Sequence, residues 1–117
     1  MLKGVLSLLL LRLCEAREDY GYSIVVRLHR SGFADLAEGT VYPALSRLES
    51  RGLLEAYLVP SSSGPARKYY RLTDSGRTEM VRAHEAWIGL VSAVDGALNE
   101  GLPGDEPGPK PVRRSSR

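Results

Sequence analysis

Glu38-Gly39-Thr40-Val41-Tyr42-Pro43-Ala44-Leu45-Ser46-Arg47-Leu48-Glu49-Ser50-Arg51-Gly52-Leu53 reads as one amphipathic helix. Val41, Ala44, Leu45 and Leu48 fall at the spacing of one buried helical face. Thr40, Tyr42, Pro43, Ser46, Arg47, Ser50 and Arg51 take the other face, where they can donate hydrogen bonds, stack or neutralise phosphate. Gly52 is placed to end the helix in a left-handed turn. Such a helix suits a DNA major groove. It equally suits a protein surface with a solvated polar face, so the flanking sequence has to discriminate.

Immediately downstream the period changes from helical to alternating. Leu54, Ala56 and Leu58 face one way and Glu55, Tyr57 and Val59 the other, which predicts a strand. Pro60 to Pro65 reads as a turn, and Ala66-Arg67-Lys68-Tyr69-Tyr70-Arg71-Leu72 as the returning strand. Arg67 and Lys68 are expected beside the hairpin tip, where a wing grips the DNA backbone. Upstream, Ile24, Val25 and Leu28 form a short helical stripe that Ser31-Gly32 stops, with Phe33 and Leu36 as core plugs in the connection. Two short helices joined by a compact turn and followed by a hairpin make a winged helix-turn-helix.

The remaining segments are a first helix, a last helix and a tail. Leu2 to Ala16 is apolar nearly all round, which predicts a helix buried between others. It lacks a cleavage site, is interrupted by Arg12 and is too short to span a bilayer, so no membrane role is expected. Thr73 is placed as the N-cap of the last helix. Met80, His84, Trp87, Val91, Val94 and Leu98 then recur as a heptad seam, flanked by Val81 and Ile88 on one side and Ala83, Leu90 and Ala97 on the other. So apolar a helix is expected to pack on a second copy. From Asn99 the sequence turns rich in proline and glycine, predicting a disordered tail with a basic end at Lys110 to Arg117. The expected fold is thus mostly α with a small β-hairpin: a winged helix-turn-helix over 1–73, a dimerisation helix over 74–98 and a tail over 99–117.

Composition is consistent with one domain. The 117 residues are 43% hydrophobic and 26% charged, as in ordinary globular proteins. The net charge of +2 argues little for nucleic acid unless it is clustered. The single cysteine, Cys14, excludes an internal disulfide and a cysteine zinc cluster, and fits a reducing cytoplasm. Catalytic signatures are missing too, with no nucleophile elbow, phosphate-binding glycine loop or zinc spacing. His29 and His84 lie in separate helices with no partner at a telling distance, so neither an enzyme nor a cofactor is expected. A winged helix used only as a protein-interaction module is the alternative. Against it stand Arg27, Arg30, Arg47, Arg51, Arg67 and Lys68, all expected in the half that would face DNA, while Glu15, Glu18, Asp19 and Asp35 sit mostly in breaks elsewhere.

Three motifs resemble the PadR family of bacterial transcriptional regulators: Tyr20-Gly21-Tyr22, Gly39 to Glu49 with Gly52-Leu53, and Gly64 to Thr73 with Gly76. With the helix that follows, the resemblance spans about residues 1–98. The single C-terminal helix looks like the short form of the family. The resemblance implies a homodimeric winged helix-turn-helix protein that binds double-stranded DNA, usually as a repressor. By the same resemblance Tyr22, Thr40 and Tyr42 match positions at the DNA backbone, Ser46 and Arg47 match the exposed face of the recognition helix, and Arg67 and Lys68 match the wing. Arg51 is a further candidate for base contact. Trp87 matches an aromatic that lines a central pocket for flat drug-like ligands in multidrug-sensing relatives, with His84 one turn away. As a seam residue Trp87 can equally do no more than fill the interface. Pro43 lacks an amide hydrogen and fits comfortably only in a first helical turn, so a helix starting earlier than expected should be perturbed there.

Overall fold

Four helices and a three-stranded antiparallel sheet follow one another as α1 (Leu2–Ala16), β1 (Asp19–Tyr20), α2 (Gly21–Arg30), α3 (Glu38–Ser50), β2 (Leu54–Ser61), β3 (Gly64–Leu72) and α4 (Asp74–Asn99). The computed structural model describes residues 2–109, so the basic end Lys110 to Arg117 lies outside the described residues. The chain divides into two compact units, Met1–Trp87 and Ile88–Arg117, and each is described by itself.

The core of the first unit is the meeting of the helical stripes. Leu6, Leu10, Leu11 and Cys14 of α1 pack with Ile24, Val25 and Leu28 of α2 and with Val41, Ala44, Leu45 and Leu48 of α3. Leu53, Leu54 and Tyr70 close it from the sheet, and Phe33, Leu36 and Met80 pack against its edge. Burial in this core drives the Cys14 thiol up to about 12, so it stays protonated and unreactive.

Both helix-turn-helix stops are glycine caps. Gly52 has φ +74°, its amide donates to the Glu49 carbonyl at 3.0 Å and the Leu53 amide to the Leu48 carbonyl at 2.9 Å. This is the paired hydrogen-bond pattern of a Schellman cap, and it buries Leu53 against the helix it ends. Gly32, at φ +106°, ends α2 the same way, with the Phe33 amide donating to the Leu28 carbonyl. The connection is tightened further by His29, whose Nε2–H donates to the Leu36 carbonyl at 2.6 Å.

Two sequence expectations change, and the place of Pro43, open in the sequence, is decided. The break at Glu15 to Asp19 ends in a strand: Asp19 and Tyr20 pair with Tyr70 and Tyr69, giving the order β1-β3-β2. Two residues are too few to carry an alternation signal. The hairpin turn is only Ser62 and Ser63, because Ser61 still pairs with Gly64, and Pro60 sits in the irregularity between Val59 and Ser61. A bulge suits a residue with no amide hydrogen to give to a ladder. Pro43 lies in the second turn of α3, where it leaves the Gly39 carbonyl without its usual amide donor. The four buried apolar residues hold the helix through this point.

Asp19 is the buried acid of the core, 4% exposed. It accepts from Ser23 Oγ at 2.6 Å, Arg17 Nη2 at 3.0 Å, Arg27 Nη1 at 3.1 Å and the Tyr20 amide at 3.0 Å. Arg27 also donates to the Leu13 carbonyl at 2.8 Å. Arg27 therefore serves the core and does not face DNA as its position in the sequence suggests. Desolvation pushes the Asp19 carboxyl up, but the hydrogen bonds from Ser23, Arg17, the Tyr20 amide and Arg27 outweigh it and hold the group below the usual carboxylate range.

The start of α4 is pinned to the end of α3. Thr73 Oγ1 accepts from the Gly76 amide at 2.9 Å, as an N-cap should, and donates to the Gly52 carbonyl at 2.6 Å. The Thr73 amide donates to the Leu53 carbonyl at 3.2 Å. A Cβ on Gly76 would collide with that carbonyl oxygen and lie 2.7 Å from Leu72 Cδ1, so glycine is required for contact rather than for conformation.

In the second unit, Ile88, Val91, Val94 and Leu98 of α4 are 55%, 36%, 45% and 78% exposed. No helix or strand follows Asn99 among the described residues.

Because the Asp19 carboxyl is held low in the fold, its contribution to stability is complete above its unfolded value of about 4 and is lost as pH falls below that. Asp19→Ala is expected to cost roughly 3 kcal/mol at pH 7 by leaving Arg27 unpaired. Urea unfolding at several pH values checks this: the gap between wild type and variant should narrow below about pH 4.

Candidate nucleic-acid interface

The exposed side of α3 carries Thr40, Pro43, Ser46, Arg47 and Ser50, with Arg51 following as the C-cap. It is the side opposite Val41, Ala44, Leu45 and Leu48, so burial of the one fixes presentation of the other. Tyr42 and Glu49, two turns apart, share the flank that turns towards the sheet. Tyr42 lies against the start of α2, where a Cβ on Gly21 would stand 2.6 Å from Tyr42 Cε1. The glycine of the Tyr20-Gly21-Tyr22 motif thus makes room for a ring of α3. Burial, aided by the nearby Glu38 charge, raises the Tyr42 hydroxyl above its usual value, so it remains a hydrogen-bond donor at neutral pH.

The wing presents its two cations differently from the sequence expectation. Lys68 pairs with Leu58 and Arg67 with Val59, so both lie along the hairpin and not beside the Ser62–Ser63 turn. Consecutive strand residues point to opposite faces. Lys68 reaches inward to Glu49, with Nζ 2.9 Å from Oε1, and stands 5.5 Å from the centre of the Tyr70 ring. The Glu49 hydrogen bond raises its pKa, so it is charged. Arg67 lies 4.5 Å over the Tyr20 ring. Beyond it Tyr20, Tyr69 and Tyr57 run across the three strands at centroid spacings of 5.5 and 5.8 Å. Leu58, on the strand face it shares with Leu54 and Ala56, is 69% exposed.

Several of the expected backbone-contacting residues converge. Tyr22, 59% exposed in the first turn of α2, lines a shallow concavity of about 300 Å³ with Tyr20, Gly21, Tyr42, Arg67, Lys68 and Tyr70. Ser46, Arg47 and Arg51 do not line it. Tyr20 and Tyr70 were not singled out as site residues from the sequence. For Tyr70 the signal is the alternation of β3, which puts it inside and Tyr69 on the outer face, whereas Tyr20 in its two-residue strand carries none.

Charge pairing sorts the cations. Arg17 and Arg27 are paired with Asp19, Arg12 and Arg77 with Glu15, Arg71 with Glu55, Arg82 with Glu79 and Lys68 with Glu49. Among the described residues the arginines without an ion pair are Arg30, Arg47, Arg51 and Arg67, all between the end of α2 and the wing.

The second predicted site is a separate feature. His84 and Trp87 of α4, with Met80 and Val81, face Leu8 and Leu9 of α1 across an apolar concavity of about 550 Å³, to which Arg12, Glu15 and Glu85 add charge. Its volume suits a drug-sized ligand. Among the described residues no cluster of His, Cys, Asp and Glu could hold a metal ion, and no helix is long and apolar enough to cross a membrane.

The family model described as the transcriptional regulator PadR-like family matches residues 10–82. A transcriptional regulator of Mycobacterium tuberculosis is 37% identical over 81 residues, 68% of this chain and 72% of the relative. The crystal structure of a PadR-like transcriptional regulator from Bacillus cereus matches with a TM-score of 0.74 at 37% identity, covering 85% of this chain and 96% of that one. A Streptococcus transcriptional regulator matches with a TM-score of 0.76 at 36% identity, covering 84% and 96%. These matches extend over both the helix-turn-helix and the wing, and with the geometry above they establish that the chain belongs to the PadR-like family of transcriptional regulators, DNA-binding proteins and not enzymes.

Proposed function

We propose that the chain is a cytoplasmic repressor that binds a near-palindromic operator as a homodimer and is released by a flat aromatic ligand. The division of labour is the one expected from sequence: 1–73 binds DNA, 74–98 dimerises and 99–117 is a tail. The carrying observation is the sorting of charge, which leaves Arg47 and Arg51 unpaired on the exposed side of α3. Ser46, Arg47 and Arg51 would meet base edges, while Tyr22, Thr40, Tyr42, Arg67 and Lys68 hold phosphates.

The seam of α4 supports the dimer. Met80 packs at the core edge, but Trp87, Val91, Val94 and Leu98 leave a row of apolar surface uncovered in the single chain. An interface of ordinary size would cover roughly 800 Å² of each partner. Two recognition helices would then read half-sites about 34 Å apart. For release, a ligand must bind one spacing of the two heads better than the other. The apolar concavity at Trp87 and His84 is where a flat ligand would gain stacking area. Selection of bound fragments from genomic DNA, with and without flat aromatic compounds, tests the reading. Recovery of no common, two-fold symmetric sequence would overturn it.

Three variants examine the parts. Arg47→Ala should weaken operator binding by about 1–3 kcal/mol and relax one position of the sequence preference; an equal loss on random DNA would make Arg47 a phosphate contact instead. Lys68→Ala should weaken operator binding and flatten its salt dependence by about one phosphate, read as the slope of log affinity against log salt. Trp87→Ala should weaken binding of a flat fluorescent dye about tenfold, and undiminished dye binding would leave Trp87 as an interface filler only.

A further inference from the structure

We infer that Glu49 is a specificity-determining residue: it holds Lys68 away from non-specific DNA and yields it to a phosphate only when α3 is fully seated. The inference rests on the DNA-facing reading of α3 and the wing.

Glu49 stands in the last turn of the recognition helix, on the flank it shares with Tyr42, and so at the border of the surface that would meet the duplex. A carboxylate there repels a polyanion, and its position needs a physical reason. Stability supplies little of one. The Glu49 and Lys68 side chains are 35% and 46% exposed, and ion pairs that open to water contribute about 1 kcal/mol or less. Their contact instead sets the state of a wing cation. Lys68 Nζ lies 2.9 Å from Glu49 Oε1, so its charge is already neutralised in the free protein. Arg67, next to it in sequence but on the opposite face, has an aromatic ring for a neighbour and no carboxylate pair.

This difference acts through distance. A loosely docked duplex leaves its phosphates separated from the wing by water and salt, where attraction decays over about 8 Å at physiological ionic strength. Glu49, in direct contact, wins Lys68 there. When α3 fits its groove, a phosphate brought into contact competes with the carboxylate at equal range and completes the grip. The cation then contributes to specific binding and is withheld from non-specific binding, which widens the ratio between them. Arg67, without such a competitor, attracts both kinds of complex.

The test compares the full-length wild type with Glu49→Gln, Lys68→Ala and the double variant. Each is titrated over a salt series against a duplex recovered by genomic selection and a random duplex of equal length. Glu49→Gln should bind the random duplex about five- to tenfold more tightly at 0.1 M salt, with a slope steeper by about 0.9. Operator affinity should rise less, so the ratio falls. The gain should vanish when Lys68→Ala is also present, and the thermal midpoint should stay within a few degrees of wild type. An unchanged random-duplex slope overturns the inference, as does an equal gain in the Lys68→Ala background, which would reflect removal of a negative charge alone. Weaker binding to both duplexes with a lowered midpoint also overturns it, making Glu49 a structural strut. If the wild type binds neither duplex, the DNA-facing reading fails first.

Discussion

Asp19 is the point on which the first unit turns. Its carboxylate is taken out of water at the junction of α1, β1 and α2, a placement that is unfavourable unless every lone pair is satisfied. Ser23 and Arg27 answer from α2, Arg17 from the end of α1 and the Tyr20 amide from β1 itself. Through Arg27, the Leu13 carbonyl of α1 joins the same network. One acid therefore fixes the angle at which the chain leaves α1, forms two residues of strand and enters α2. That corner sets Gly21 beneath Tyr42 and so places α2 against the recognition helix.

A second fastening carries the position of α3 onward. The Schellman cap at Gly52 delivers two carbonyls, of Gly52 and Leu53, to Thr73. Gly76 then comes so close to the Leu53 carbonyl that no side chain fits between. These backbone contacts are short and directional, whereas apolar packing is not. Any change in the direction of the first turns of α4 must accordingly be felt at the end of α3. Arg77 adds an ion pair to Glu15 of α1, and Glu15 also lines the apolar concavity that holds Trp87. The start of α4 is thus tied both to the end of α3 and to α1 at one corner of the domain.

Local pattern revealed the elements, and it was least informative where contacts are remote. The four helices, the hairpin, the stop at Gly52 and the cap at Thr73 were legible because each rests on spacings within a few residues. β1 was not, since two residues cannot show a period and their pairing partners lie some fifty positions away in the chain. Arg27 looked like an exposed cation of the reading half because it lies off the apolar stripe of Ile24, Val25 and Leu28. Its partner, Asp19, looked like part of a solvated break, and neither assignment can be corrected without knowing that the two meet. Arg67 and Lys68 looked like a pair because they are adjacent, although strand geometry alone already separates their faces.

The family, the winged helix-turn-helix, the buried face of α3 and the residues that face outward from it are all legible in the amino-acid sequence. These follow from periodicity, caps and turn chemistry, all of which are short-range. Which charges are free follows from the packing of the elements. Whether a cation can reach a phosphate depends on whether a carboxylate from another element reaches it first, and that is a matter of distances across the fold. Arg27 is consumed by Asp19, Lys68 is held by Glu49, and Arg47 is left unpaired among the described residues. Coulomb attraction acts on separation in space and takes no account of separation along the chain.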